Sequence, residues 1–279
     1  MAVIFNQSTV EAERNGDGVA IKHLITPDRV RSDNVLSDQL QLQPGAETDF
    51  SVGANDLSWA HVLEGSAVLK SAAGEHKISA DHFAFLPPGL SARIASEAGA
   101  TIFRATVPDA GRFDANWDAA ALNYSCIDWT LEPVLDSEFD ARQRIYLVTP
   151  KLSGTRAAKG EMIIYPPGTE AANHHHEGAD HFQVILKGSA TFHLNEVPQK
   201  VRAGDTVYIY DNERHFLIND GDEDLVFIEY FIPGTYETVW AEGAPICTWS
   251  PTGKNIKGGK PSREIAAHSS PQAHVRSDV

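Results

Sequence analysis

The chain has 279 residues, 42% of them hydrophobic, which is enough for two ordinary domains with cores of their own. Its formal net charge of −15 sets it against phosphate backbones and anionic lipid, so neither nucleic acid nor a membrane is expected as a partner. The two cysteines, Cys126 and Cys247, stand too far apart in sequence for a CxxC metal site and too few for a disulfide framework.

Met1 to Arg14 shows no basic patch followed by an apolar stretch, and no run of eighteen apolar residues occurs, so an unexported, cytoplasmic protein is expected. Asp114 to Leu122 (DANWDAAAL) predicts a short connecting helix. Strands are predicted at Met162 to Tyr165, Phe182 to Leu186, Ala190 to Leu194, Thr206 to Tyr210 and Leu225 to Phe231. Each is rich in branched and aromatic residues and bounded by Gly, Pro, Asn or Asp. Many short strands with frequent turn signals predict an all-β protein of sandwich or jelly-roll type. After Pro233 the composition becomes that of loops, and the tail from Trp240 onward reads as an arm over a barrel or a neighbouring subunit. Its last ten or so residues are expected to be disordered, and no catalytic role is assigned to it.

An internal repeat organises the chain. Displaced by 123 positions, Pro44-Gly45 falls on Pro167-Gly168, Gly65-Ser66-Ala67 on Gly188-Ser189-Ala190, and His82 to Leu86 on Asp205 to Ile209. Shared turn residues at one offset imply shared turn geometry, and so two copies of one β domain. The copies differ at four places. Where the second has His174, His176, His181 and His215, the first has Ser51, Gly53, Ser58 and Ala92.

Those histidines have the pattern of a metal site. On an extended segment His174 and His176 point the same way while His175 faces out. His181 opens the next strand, sharing a face with Gln183 and Ile185, and His215 follows the strand that returns beside it. Neutral imidazole is a good ligand for iron, nickel, copper and zinc, and a less specific one for manganese. Asp180 is the alternative to His181 as ligand. The eight other histidines, His193, His268 and His274 among them, read as surface residues.

These residues resemble the two motifs of the cupin family. Gly168 to Gly188 reads G-x5-H-x-H-x4-H-x6-G, with His181 where the first motif usually has glutamate. Gly204 to Asn219 reads G-x5-Y-x-N-x2-H-x3-N, with Tyr210 and Asn212 in place of proline and glycine. The resemblance implies two tandem jelly-roll barrels. Residues 1–115 would form a barrel without metal ligands, 116–140 a connector, 141–235 the metal-binding barrel and 236–279 a loop-rich arm. It further implies one divalent metal on His174, His176, His181 and His215, iron first, with manganese, nickel, zinc or copper as the other candidates.

Four neutral ligands leave the ion's charge unscreened, which predicts an anionic substrate. Gln183, Met162, Tyr165, Tyr208 and Arg214 are the residues expected to line its pocket. The resemblance to bicupins implies a dioxygenase acting on a small keto acid, hydroxy acid or enol. The alternatives are a hydrolase or isomerase like the ureidoglycine aminohydrolases, and a metal-containing binding protein without turnover. No carboxylate base is evident inside the site unless the loop of Glu177 and Asp180 turns inward. Exposed strand edges predict a homodimer or larger homo-oligomer.

Overall fold

A computed structural model describes all residues except 73, 270–275 and 277. His274, expected at the surface, lies outside the described residues, as does most of the tail expected to be disordered. Val279 within that tail is buried. The chain is almost entirely β and divides into two compact units. One comprises Gln7–Thr130 with Ser153–Ala157, the other Met1–Asn6, Leu131–Leu152 and Ala158–Val279.

The repeat is visible in the element boundaries. Strand Leu36–Leu42 recurs as Lys159–Tyr165, Gly74–Ser79 as Val197–Arg202, and His82–Leu86 as Asp205–Ile209. The short helix Pro27–Val30 recurs as Pro150–Ser153. Each pair is separated by the same 123 positions. The next strand slips: Ala100 pairs with Leu42 in the first copy, whereas Leu225 pairs with Tyr165 in the second, so the second carries two extra residues before it.

Both units are jelly-roll barrels built from antiparallel pairs. In the first, the long strand Leu57–Ser71 pairs with His82–Leu86 and Ala100–Val107 at one end and with Gly74–Ser79 and Ala92–Ser96 at the other, joining the two faces. In the second, that element is split at Gly188 into Asp180–Lys187 and Ser189–Leu194. Gly65 and Gly188 sit at this corner with φ of +76° and +81°, and a Cβ there would come within 2.2 Å of the Gly99 carbonyl oxygen and 2.6 Å of that of Asp224. Only glycine fits such a close backbone approach. Alternate residues of each strand point inward, which packs Phe50, Leu69, Ile94 and Ile102 into the first core and Phe192, Val207, Leu217 and Phe227 into the second.

Two departures from the sequence reading concern the connections. Asp114 to Leu122 is not an α-helix; only Ala119–Ala121 coils there, as one 3-10 turn capped by Asp118, because Asp and Asn compete for the backbone groups a longer helix needs. The first strand, Val3–Asn6, pairs with Asp205–Ile209 in the unit that carries the histidines, although residues 1–115 were assigned to the other barrel.

Candidate metal centre

Strand His174–Glu177 lies between two partners. His174 stands opposite His215 on one side, while on the other His174, His175 and His176 stand opposite Trp240, Val239 and Thr238 of the strand Glu237–Trp240. Strand alternation turns His174 and His176 to the same face, and the pairing brings His215 beside them. One nitrogen from each of His174, His176 and His215 lies within 4.8 Å of the others. His181 is more deeply buried, its ring centre 4.8 Å from that of His176 and 4.7 Å from that of His215.

The ring orientations are fixed by what Nδ1 meets. His174 Nδ1 donates to the Ala172 carbonyl at 2.7 Å and His215 Nδ1 to the Glu213 carbonyl at 2.9 Å. His176 Nδ1 lies 3.2 Å from Thr238 Oγ1. A carbonyl can only accept, so in His174 and His215 the proton sits on Nδ1 and the Nε2 lone pair is left for a ligand. Burial, and after it the neighbouring imidazoles, hold His174, His176 and His181 well below their ordinary pKa, and burial brings His215 down to about 4. At neutral pH no proton competes for these lone pairs. Neither nitrogen of His181 has a hydrogen-bond partner; its Nε2 is 3.8 Å from Glu229 Oε1, too far for a bond. A buried imidazole without partners, beside three others of which His174 and His215 keep free Nε2 lone pairs, is a donor set that fits a divalent cation.

His174, His176 and His215 open into a cavity of about 60 Å³ whose wall also carries charged side chains. Glu229 and Gln183 face each other in register on adjacent strands, and Gln183 Nε2 donates to Glu229 Oε1 at 2.7 Å. Burial, reinforced by the nearby Glu161 charge, pushes the Glu229 carboxyl up to about 7. Burial alone would also push Glu161 up, but Arg144 and Lys159, each 3.0 Å away, hold it down. Arg142 beside them is held by Asp140 at 2.8 Å and by Tyr165 Oη at 3.1 Å.

The cupin domain family model matches residues 161–231, the stretch that contains all four histidines. An oxalate-binding protein of Thermotoga maritima is 36% identical over 87 residues, 31% of this chain and 72% of that protein. The chain belongs to the cupin superfamily. Oxalate decarboxylase of Bacillus subtilis has the same two-barrel fold, at 18% identity, with a TM-score of 0.68 over 85% of this chain and 79% of that one, so the protein is a bicupin. Protein SchB of Streptomyces halstedii matches at 29% identity over 83 residues, 29% of this bicupin and 60% of its own length.

Of the residues expected to line the pocket, this bicupin places Gln183 and Tyr165 on the cavity wall. Met162, Tyr208 and Arg214 do not line it. Met162 falls out of phase with Glu161, Ile163 and Tyr165 on its strand. Tyr208 lies opposite Phe182 on the other face and donates to Asp180 Oδ2 at 2.8 Å. Asp180 is thereby turned away from the histidines, its second oxygen accepting from the Asp211 backbone N–H. Glu177 faces outward next to His175.

Sequence reasoning missed Glu161, Glu229, Arg142 and Arg144. Glu161 and Glu229 are charged residues set among apolar neighbours on a strand, in phase with residues that face inward, and that pattern could have revealed them, whereas Arg142 and Arg144 flank Gln143 where the strand Gln143–Val148 begins and carry no such mark. The arm, to which no role was given, supplies Tyr236, Thr238, Trp240, Cys247 and Trp249 to the cavity wall. His268, expected at the surface, is buried in the arm with Nε2 2.7 Å from Tyr146 Oη, and His61 is likewise buried in the first barrel. Among the described residues no helix is long and apolar enough to cross a membrane.

Proposed function

We propose that the second barrel holds one divalent metal ion on His174, His176 and His215, with His181 as the fourth donor, and that it is the active site of a dioxygenase for a small keto acid, hydroxy acid or enol. The observation that carries this reading is the convergence of imidazoles, those of His174 and His215 with Nδ1 engaged by a backbone carbonyl, and no carboxylate among them. When bound, the ion would supply Lewis acidity toward an oxygen anion and, if it is iron, a place for dioxygen chemistry.

The chain's own residues do the rest. The Ala172 and Glu213 carbonyls and Thr238 orient the imidazoles, while Trp240, Tyr236 and Phe231 pack against them and keep bulk water away. Glu229, whose carboxyl titrates near neutrality, takes the proton that a hydroxy acid or an enolisable keto acid must lose, with Gln183 holding the carboxylate in place. Arg144 and Lys159 outweigh the charge of Glu161 between them, so the wall stays open to an anion although two glutamates share it.

The names of the similar proteins, an oxalate-binding protein and oxalate decarboxylase, support a small carboxylate as ligand. Manganese centres are named for the decarboxylase, which keeps manganese among the candidates although imidazole suits iron better. Glu229 favours a second reading, in which the same site moves protons without dioxygen, in a hydrolase or isomerase. Metal analysis of the purified protein, followed by oxygen-electrode assays with 2-oxo and 2-hydroxy acids, tests both. Bound iron with substrate-dependent oxygen uptake is the expected result. Substrate conversion without uptake selects the second reading, carboxylate binding without conversion makes the protein a binder, and absence of metal from the histidines refutes the proposal.

A further inference from the structure

The metal cavity is too small to be the whole binding site. Its volume of about 60 Å³ admits a few water-sized groups, which is room for the head of an acid and little more. More space adjoins it. A second, outer cleft of about 270 Å³ shares Arg142, Ala171 and Cys247 with the cavity, so the two spaces meet at these three residues. Arg142 is anchored on three sides, by Asp140, by Tyr165 Oη and, at 3.4 Å from Nη2, by Cys247 Sγ. Its guanidinium is a fixed part of that shared boundary.

On the outer side the wall changes character. Phe139 and Pro245 line the cleft, and Phe139 is a large apolar side chain left 56% exposed there. The outer wall's other charged side chains, Asp140 and Glu170, are both acidic. Asp140 already neutralises Arg142, so a second anionic group on a ligand would find no free cation here and would meet Glu170.

We propose that the outer cleft is a subsite for the uncharged, apolar tail of a substrate whose acid head lies at the histidines. The substrate class is then a 2-oxo or 2-hydroxy monocarboxylic acid with an alkyl or aryl side chain, not a dicarboxylate such as oxalate. This deepens the reading of the metal centre given above and rests on it.

Calorimetric titration of the metal-loaded, full-length protein with pyruvate, 2-oxobutyrate, 2-oxohexanoate, phenylpyruvate and oxaloacetate tests it, with metal content measured on the same samples. Affinity should rise about three- to fourfold for each added methylene. Oxaloacetate should bind no better than pyruvate, and Phe139→Ser should flatten the series and weaken phenylpyruvate about tenfold. A flat series, or a preference for oxaloacetate, in protein carrying one metal per chain overturns the subsite and leaves the metal centre standing. Protein without metal at the histidines overturns the reading beneath it. The wild-type series decides the matter even if the variant does not fold.

Discussion

Arg104 of the first barrel stands at the register position that Glu229 holds in the second. Arg104 lies opposite Asp38 and Ala60, and Glu229 opposite Glu161 and Gln183, which are the equivalents of those two residues in the repeat. Arg104 donates to Ser58 Oγ at 3.0 Å and to the Ser51 carbonyl at 2.6 Å, and its guanidinium lies 4.6 Å from the centre of the Phe50 ring. Ser51 and Ser58 are the counterparts of His174 and His181. Where the second barrel offers imidazoles to an external cation, the first satisfies the same region with a cation of its own.

Removing that cation should therefore damage the first barrel and nothing else. Arg104→Met leaves the Ser51 carbonyl without its donor and takes one partner from the fully buried Ser58, which keeps the Ala105 carbonyl and Thr106 Oγ1, and this should cost about 1–2 kcal/mol. Urea unfolding of the full-length chain measures the loss. Metal content should be unchanged, and a variant that lost its metal would show that the histidine site depends on more than its own barrel.

At the metal centre, His176→Ala should abolish bound metal while leaving the fold intact, because a neutral imidazole contributes little to a core held by Phe192, Val207 and Phe227. Thr238→Val removes only the group facing His176 Nδ1, and should weaken metal binding about tenfold. Competition with a chromogenic chelator reads both. Unchanged affinity in the threonine variant would mean that packing against Phe231 and Tyr236 orients the ring, not the hydroxyl.

Much of this was legible in the sequence because glycines mark backbone geometry that few residues can adopt. Gly65 and Gly188, Gly45 and Gly168 announced the repeat, and the phase of His174 and His176 announced their common face. Strand phase failed where it was not applied strictly: Met162 and Tyr165 are three apart and cannot share a face of one strand, yet both were expected in the pocket. The arm was illegible for a different reason. Trp240 and Trp249 reach the cavity only because their strands pair with His174–Glu177 and Leu135–Ser137, and long-range pairing of this kind leaves no periodic trace in loop-like composition. Glu229 and Glu161 were passed over because buried carboxylates are rare, which is also why they matter.

Stability should decline on mild acidification. Burial brings His61 in the first barrel and His268 in the arm down to about 4, from an ordinary value of 6.5. The unfolded chain therefore takes up these protons first, so the contribution is fully present above about pH 6.5 and is lost as pH falls toward 4. For a wholly buried histidine such as His61 the loss amounts to about 3 kcal/mol at most. Thermal melts between pH 7 and 4.5 should show the decline, and His61→Gln should make it shallower. An equal slope in the variant would remove His61 from the explanation.

The catalytic assignment makes its own pH prediction, with a sign. Glu229 acts as a base only when ionised, so turnover should rise with pH as its carboxyl loses a proton. Burial and the charge of Glu161 place that ionisation at about 7 without a metal. A bound dication nearby favours the carboxylate, so in the loaded protein the rising limb should lie at or below that value. Glu229→Gln preserves the size of the side chain but cannot accept the proton. It should lower kcat by about 10²- to 10⁴-fold, with no rising limb left to observe. A pH–rate profile that keeps its limb in the variant would assign the proton to another group. The full profile, together with metal content, separates that outcome from simple loss of the ion, because His181 lies 3.8 Å from Glu229 and the substitution could otherwise act through it.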